Sequence, residues 1–247
     1  MGQGIGFASW LWGSGAGTTT PPPSPGPAPV TSTPWVRLST TSTATTYGVP
    51  VVLGWGLAST SAGLSRYQLQ VQRDGGTWTT VRLTSSTATT HRMTLGLGSE
   101  YLVRVRAIDR AGQVGAWKTS PAVYGRRADD ASTSLRWSSG WSVRAASGFI
   151  GGKAHRANVR ESSVTYTFRG TSIAWFGARS SDLGRAWVEI DGNYIGTVDL
   201  YASSSRTRQI VFARNLADGE HTIKIRVVGT SGRPYVYVDG FYSIDPH

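Results

Sequence analysis

From Trp35 to Gly125 the chain runs in short stretches where apolar and polar residues alternate, broken by Gly, Ser, Thr and Asp. In RYQLQVQRDGGTW, Tyr67, Leu69 and Val71 fall on one side of a period of two and run into Asp74-Gly75-Gly76, a tight hairpin signal. VVLGWGLA, RYQLQVQRD, WTTVRLT, HRMTLG, EYLVRVRAID and a segment near Val123 are the strands this pattern predicts. A second β region follows from about Leu135 to Asp245, with SVTYTFRG, SIAWFGAR, RAWVEIDG, NYIGTVDLY, RQIVFARN, HTIKIRVVG and YVYVDGFYSID as strands. Asp191-Gly192-Asn193 and Asp218-Gly219 read as turns between them. In HTIKIRVVG, Thr222, Lys224 and Arg226 alternate with Ile223, Ile225 and Val227, so one face meets a core and the other meets water. A helix-length periodic run is missing, and the prediction is all-β.

The residues of 35–125 carry a resemblance. Trp55 on an early strand, Tyr67 on the next and then LGLGSEYLVRVRAIDRAGQVGAW look like a fibronectin type III domain. Leu97 followed by Tyr101 matches that family's tyrosine corner, and Ala107 to Trp117 its last hairpin, which implies structural roles for Trp55, Tyr101 and Trp117. Residues 137–245, from GWSVRAASGFIGGKAHRANVRESS through EIDGNYIGTVDLY to YVYVDGFYSID, resemble the galactose-binding-like jelly-roll modules of secreted actinobacterial proteins and of their phages' virion proteins. The expected architecture is two tandem β-sandwiches after an extended N-terminal tail: tail and linker 1–34, fibronectin type III-like sandwich 35–125, junction 126–136 and jelly roll 137–247. Such modules include sugar binders, packing modules and modules without a known role, so the resemblance fixes fold rather than function.

The tail stands apart in composition. Residues 1–34 hold no charged side chain, and seven of the 11 prolines fall between Pro21 and Pro34, giving a polyproline II spacer. Ahead of it, Ile5, Phe7, Trp10, Leu11 and Trp12 have nothing nearby in sequence to bury against and read as a docking peptide for another protein. This segment lacks the basic start and unbroken apolar run of an export signal. No run approaches the roughly 18 apolar residues of a membrane helix, so membrane insertion is not expected.

With 39% hydrophobic and 16% charged residues and 31 glycines, the 247-residue chain suits sandwiches better than a helical bundle. The absence of cysteine excludes disulfides and thiolate metal sites. The net charge of +11 divides as +6 over 35–125 and +5 over 126–247, and 22 of the 25 basic residues are arginine. No dense basic stripe is visible, which argues against specific nucleic-acid binding.

Catalytic signatures are missing. No histidine pair has metal-binding spacing, no G-x-S-x-G elbow occurs, and GFIGGKA around Lys153 fails the phosphate-loop pattern in its first glycine spacing and in Ala154. A non-catalytic protein without a cofactor is expected, with Asp182, Asp199 and Asp239 as weak candidates for a structural calcium ion and no assigned metal site. A sugar site wants an aromatic platform beside polar donors and acceptors, and the jelly-roll loops offer Trp141, His155, Arg156, Arg179, Asp182, Arg185, Tyr201 and Tyr235. For Arg179 and Asp182, an internal ion pair across the Ser-Ser turn is the equal alternative. Trp175, Phe176 and Trp187 fall within strands and are expected in the core.

The leading reading is therefore a phage virion surface protein, held to other virion proteins by its N-terminal peptide and binding host cell-envelope glycans, with a homo-oligomer as a way to multiply weak sites. The alternatives are a secreted, extracellular carbohydrate-binding accessory module and a structural spacer without ligand.

Overall fold

A computed structural model describes residues 26–40 and 43–246. The proposed docking residues Ile5, Phe7, Trp10, Leu11 and Trp12 lie outside the described residues. The first half contains β1 (Val30–Thr31), β2 (Trp35–Leu38), β3 (Gly48–Gly54), β4 (Leu57–Ser59), β5 (Leu64–Arg73), β6 (Thr79–Val81), β7 (Thr90–Gly96), β8 (Glu100–Asp109), β9 (Lys118–Thr119) and β10 (Val123–Asp129). The second contains β11 (Leu135–Trp137), β12 (Trp141–Ala145), β13 (Lys153–Ala157), β14 (Ser163–Arg179), β15 (Arg185–Ile190), β16 (Asn193–Asp199), β17 (Arg206–Val227), β18 (Val236–Val238) and β19 (Gly240–Pro246). One 3-10 turn, Ile150–Gly152, is the only helical element among the described residues. The protein is all-β and built as two sandwiches in tandem.

In the first sandwich the sheet β2-β3-β7 faces β8, β5 and β6 across a core of Leu53, Leu69, Leu95, Val103 and Val105, each fully buried. Trp55 and Tyr67 meet edge to face in this core with ring centroids 6.1 Å apart, and the Gly96 N–H donates to the Tyr101 phenol oxygen at 2.9 Å. In the connection from β5 to β6 the Gly76 N–H donates to the Arg73 carbonyl at 2.9 Å, closing a turn in which Asp74 and Gly75 both take positive φ, 50° and 69°. The second sandwich sets β14, β15 and β17 against the sheet β12-β13-β18, over a core that includes Trp175, Ile223, Ile225, Val227 and Phe241. The β15–β16 hairpin turns at Asp191 and Gly192, again with both φ positive.

Three features depart from the strand pattern expected above. SVTYTFRG and SIAWFGAR form one 17-residue strand, β14, and RQIVFARN and HTIKIRVVG form one 22-residue strand, β17. Asp218-Gly219 is accordingly a bulge and not a turn: Gly170 pairs with Gly219 and Ser172 with Asn215, so Thr171 alone faces Leu216, Ala217 and Asp218. YVYVDGFYSID divides at Asp239 into β18 and β19.

Arg126 to Asp129, placed by sequence in a polar junction, lie in β10, which pairs with β19 residue by residue from Val123↔Pro246 to Asp129↔Gly240 and touches β8 at its first two positions. A single sheet, β16-β15-β17-β14-β19-β10-β8-β5-β6, therefore runs through both halves. Phe176, Tyr242 and Ile244 of the second half are buried in the core of the first. Tyr242 donates its hydroxyl hydrogen to the Thr45 carbonyl at 2.7 Å and accepts from the Thr45 N–H at 2.9 Å.

Candidate functional site

The candidate side chains other than Asp182 fall into three sets in the second sandwich: Arg179, Arg185 and Tyr201 at Asp199, Arg156 with Tyr235, and Trp141 with His155 around Trp137. The first is built around Asp199, the last residue of β16. Arg233 donates to both its oxygens at 2.6 and 2.8 Å, the Arg185 Nε donates at 3.0 Å and the Tyr201 N–H at 3.0 Å. Arg179, the last residue of β14, donates to the Asp199 carbonyl at 2.7 Å. The Arg233 guanidinium also lies over the Tyr201 ring, 5.3 Å from its centroid, while Tyr201 remains 53% exposed. The bidentate Arg233 contact, ahead of the Tyr201 amide and Arg185, holds the Asp199 carboxyl far below the usual carboxylate range against the opposing effect of burial.

Local sequence explains why this cluster is held still. Leu183 and Leu200 are buried and anchor the two loops beneath it. Gly184 donates to the Tyr235 carbonyl at 2.8 Å and Leu200 to the Gly184 carbonyl at 3.0 Å. Any Cβ at Gly184 would run into the Arg233 carbonyl oxygen, so glycine is needed for this approach. Pro234 restricts Arg233 to extended backbone, aiming its side chain back across the loop.

The second set is Arg156 with Tyr235, and the third is Trp141 with His155 around Trp137. His155 stacks on Trp137 at 4.1 Å and shares a 3.1 Å hydrogen bond with Asp130, whose carboxyl burial pushes upward. Trp141 meets Trp137 edge to face and donates its indole N–H to the Ser163 carbonyl at 3.0 Å. The Arg156 guanidinium lies 4.8 Å from the Tyr235 ring centroid, and the Tyr235 backbone forms a bridge with Leu183 beside the first group. Trp141 and His155 thus have structural partners, while Arg156 and Tyr235 continue the surface from Arg233.

Asp182 is exposed in the loop between β14 and β15, and the ion pair considered for it with Arg179 does not form. The three candidate calcium ligands are not brought together. Asp199 is saturated by donors, and Asp239 is fully buried, with both oxygens facing the Ile150 N–H at 3.1 and 3.2 Å. Among the described residues no three His, Cys, Asp or Glu groups are placed to hold a metal ion. Trp175 and Phe176 are core residues, but Trp187 is half-buried on the polar face between the guanidinium groups of Arg160 and Arg226.

Arg233 was not singled out by sequence and Asp199 only as a calcium candidate, although they form the hub. Their pairing joins a strand end to a distant loop, and no local spacing announces it. A lone Arg before Pro is the nearest available signal.

No family model matches the chain. It is 35% identical over 97 residues to an A type blood N-acetyl-alpha-D-galactosamine deacetylase of Flavonifractor plautii, and 34% identical over 97 residues to an A type blood alpha-D-galactosamine galactosaminidase of the same organism. Each match takes in 39% of this chain but only 13% and 9% of the enzymes' lengths. Similar solved structures include a two-domain esterase active on acetylated mannans, co-crystallized with mannopentaose (14% identity, TM-score 0.40, 50% of this chain and 37% of that one). A family 35 carbohydrate binding module from Clostridium thermocellum is another (12% identity, TM-score 0.37, 49% of this chain and 98% of that one). No helix among the described residues is long and apolar enough to cross a membrane.

Proposed function

We propose that this chain is a non-catalytic carbohydrate-binding accessory module that holds a glycan at the face formed by Tyr201, Arg185, Arg179 and Arg233. The observation that carries this reading is the Asp199 hub. Its carboxylate is used up internally in fixing the arginines, so the guanidinium N–H groups left over point their donor capacity at solvent beside an exposed aromatic ring. A pyranose offers a complementary pair of surfaces, an apolar ring face for Tyr201 and hydroxyl or carboxylate acceptors for the arginines. Support from relatives is of the same kind: the 97 matched residues belong to two enzymes whose names place them on amino-sugar glycans, and the matched part is a module-sized fraction of each. The virion-surface reading draws on the tail outside the described residues and gains no support from the matches named above, so the accessory, extracellular reading is preferred to it.

A glycan array probed with the whole chain, including A-type blood-group and mannan oligosaccharides, tests the proposal. Saturable binding that Tyr201→Ala and Arg185→Ala each weaken about tenfold, the loss of roughly one good contact, is the expected result. Binding that both variants retain in full overturns it.

A further inference from the structure

The even division of charge along the sequence conceals an uneven division in space. In the second half six of the eleven acidic groups pair with arginine: Asp199 with Arg185 and Arg233, Asp245 with Arg126, Glu189 and Glu161 with Arg226, Asp218 with Arg169, and Asp129 with Arg127. Among described ion pairs, Arg73–Asp74 is the one formed within residues 26–122. Of the other arginines of the first sandwich, Arg37, Arg92, Arg104 and Arg106 pair with rings, amides or hydroxyls, which leave their charge uncompensated.

Two of them are built into a ladder. The Arg104 guanidinium lies between the rings of Trp78 and Trp117, 4.1 and 4.6 Å from their centroids, and Arg106 lies 4.5 Å from the Trp117 centroid. Gln70 Oε1 accepts from Arg104 Nε and Nη2 at 2.8 and 2.6 Å, and Gln68 Oε1 accepts from Arg106 Nε at 2.7 Å. Register places these side chains on one face: Arg104 stands opposite Gln70 and Thr119, Gln70 opposite Thr80, and Arg106 opposite Gln68. Val103, Val105 and Ala107 point the other way into the core. Stacking and amide bonds fix both guanidinium planes but supply no negative charge, so the two cations stand about 7 Å apart along one strand, with Arg104 Nη1 and the two Arg106 Nη groups outside these amide bonds.

We propose that this ladder is a second ligand surface, distinct from the Asp199 face, which binds a linear anionic polysaccharide through its carboxylates. The paired Nη groups of Arg106 suit a bidentate carboxylate contact, with Arg104 Nη1 as a second donor beside them. Trp117 already has guanidinium groups over it, so it offers no clear ring for stacking nucleobases, which distinguishes this surface from a single-stranded nucleic-acid platform. The ladder would let the first sandwich grip a charged chain while the second reads a sugar unit.

The test uses the whole chain on immobilised polygalacturonate, with neutral dextran and single-stranded DNA as comparison matrices and circular dichroism to verify folding. Retention on polygalacturonate alone, falling at least tenfold in the double variant Arg104→Gln with Arg106→Gln, is expected. Arg136→Gln with Arg144→Gln removes the same net charge from the second half and should leave retention intact. Should the double variant unfold, Arg106→Gln alone is read instead. Equal loss in the charge-matched control, equal binding to DNA, or no retention overturns the proposal. Loss in Tyr201→Ala but not in the ladder variant would place the polygalacturonate site on the Asp199 face and also overturns the proposal.

Discussion

Asp199 accepts four hydrogen bonds from cationic and amide donors, whereas Asp239 is fully buried and accepts only from the Ile150 N–H. Burial pushes the Asp239 carboxyl up to about 7, with the carboxylates of Asp130 and Asp129 adding to it and Arg208 opposing. Because its folded pKa lies above the unfolded value near 4, Asp239 favours folding fully only below that value, and the contribution is lost as pH rises towards 7. Burial raises Asp130 in the same direction. His221 acts likewise: although burial opposes it, the bonds to Asp191 and the Ala217 carbonyl raise its pKa, so its contribution also fades as pH rises through that value. Asp239→Asn should therefore leave stability near pH 4 unchanged and raise it by about 2–4 kcal/mol at pH 8, read from denaturant melts at both pH values. Equal effects at the two pH values would refute this assignment. The Asp199 carboxylate, with its pKa held low, stays charged throughout that window, and the sugar face should keep its geometry across it.

At the scale of elements, the alternating pattern made most strands legible, and the Asp-Gly turns announced their hairpins. It could not distinguish a turn from a bulge. Asp218-Gly219 has turn chemistry, but the ladder resumes beyond it because Gly170 on the neighbouring strand takes a φ of 154° that makes room for the Ile244 carbonyl. A Cβ at Gly170 would collide with that backbone oxygen, whereas one at Gly192 would meet open space. Gly170→Ala is predicted to cost on the order of 3 kcal/mol or more, and Gly192→Ala about 1 kcal/mol from its positive φ alone. Thermal melts of the two variants check the ranking, and a larger loss at Gly192 would contradict it. The residue types were legible, and seven of the eight candidates named from sequence have identified contacts, Trp141 and His155 with structural partners and the others at Asp199 or between Arg156 and Tyr235; their binding role rests on the glycan array. What organises them was not, because the Asp199–Arg233 bond and the Trp78–Arg104–Trp117 stack depend on pairings made only in three dimensions.

For the molecule as a whole, the seam matters most. β10 completes the first sandwich at one end and lies along β19 for seven pairs, and Phe176, Tyr242 and Ile244 fill the first core from the second half. Sequence suggested a polar junction because Arg126, Arg127, Asp129 and Asp130 are charged. In the structure Arg126 is paired with Asp245 at 2.7 Å, and Arg127 donates to the Thr46 carbonyl at 2.6 Å. The halves should therefore melt together. Calorimetry is expected to show one cooperative transition, and Tyr242→Phe, which forfeits both bonds to Thr45, should lower stability by about 1–3 kcal/mol without splitting it. Two resolved transitions would show that the shared sheet does not couple the halves. A rigid seam would also keep the Asp199 face and the arginine ladder at a constant separation, the condition under which two weak surfaces act together on one chain of sugars.

The most direct test of the central claim is hydrogen exchange of the whole chain with and without a saturating glycan drawn from the array. Protection concentrated at Ser180–Arg185, Tyr201–Ser205 and Thr230–Tyr235, and absent in Asp199→Asn at the same glycan concentration, is the predicted result. Protection confined to other segments while the glycan is bound would contradict the account.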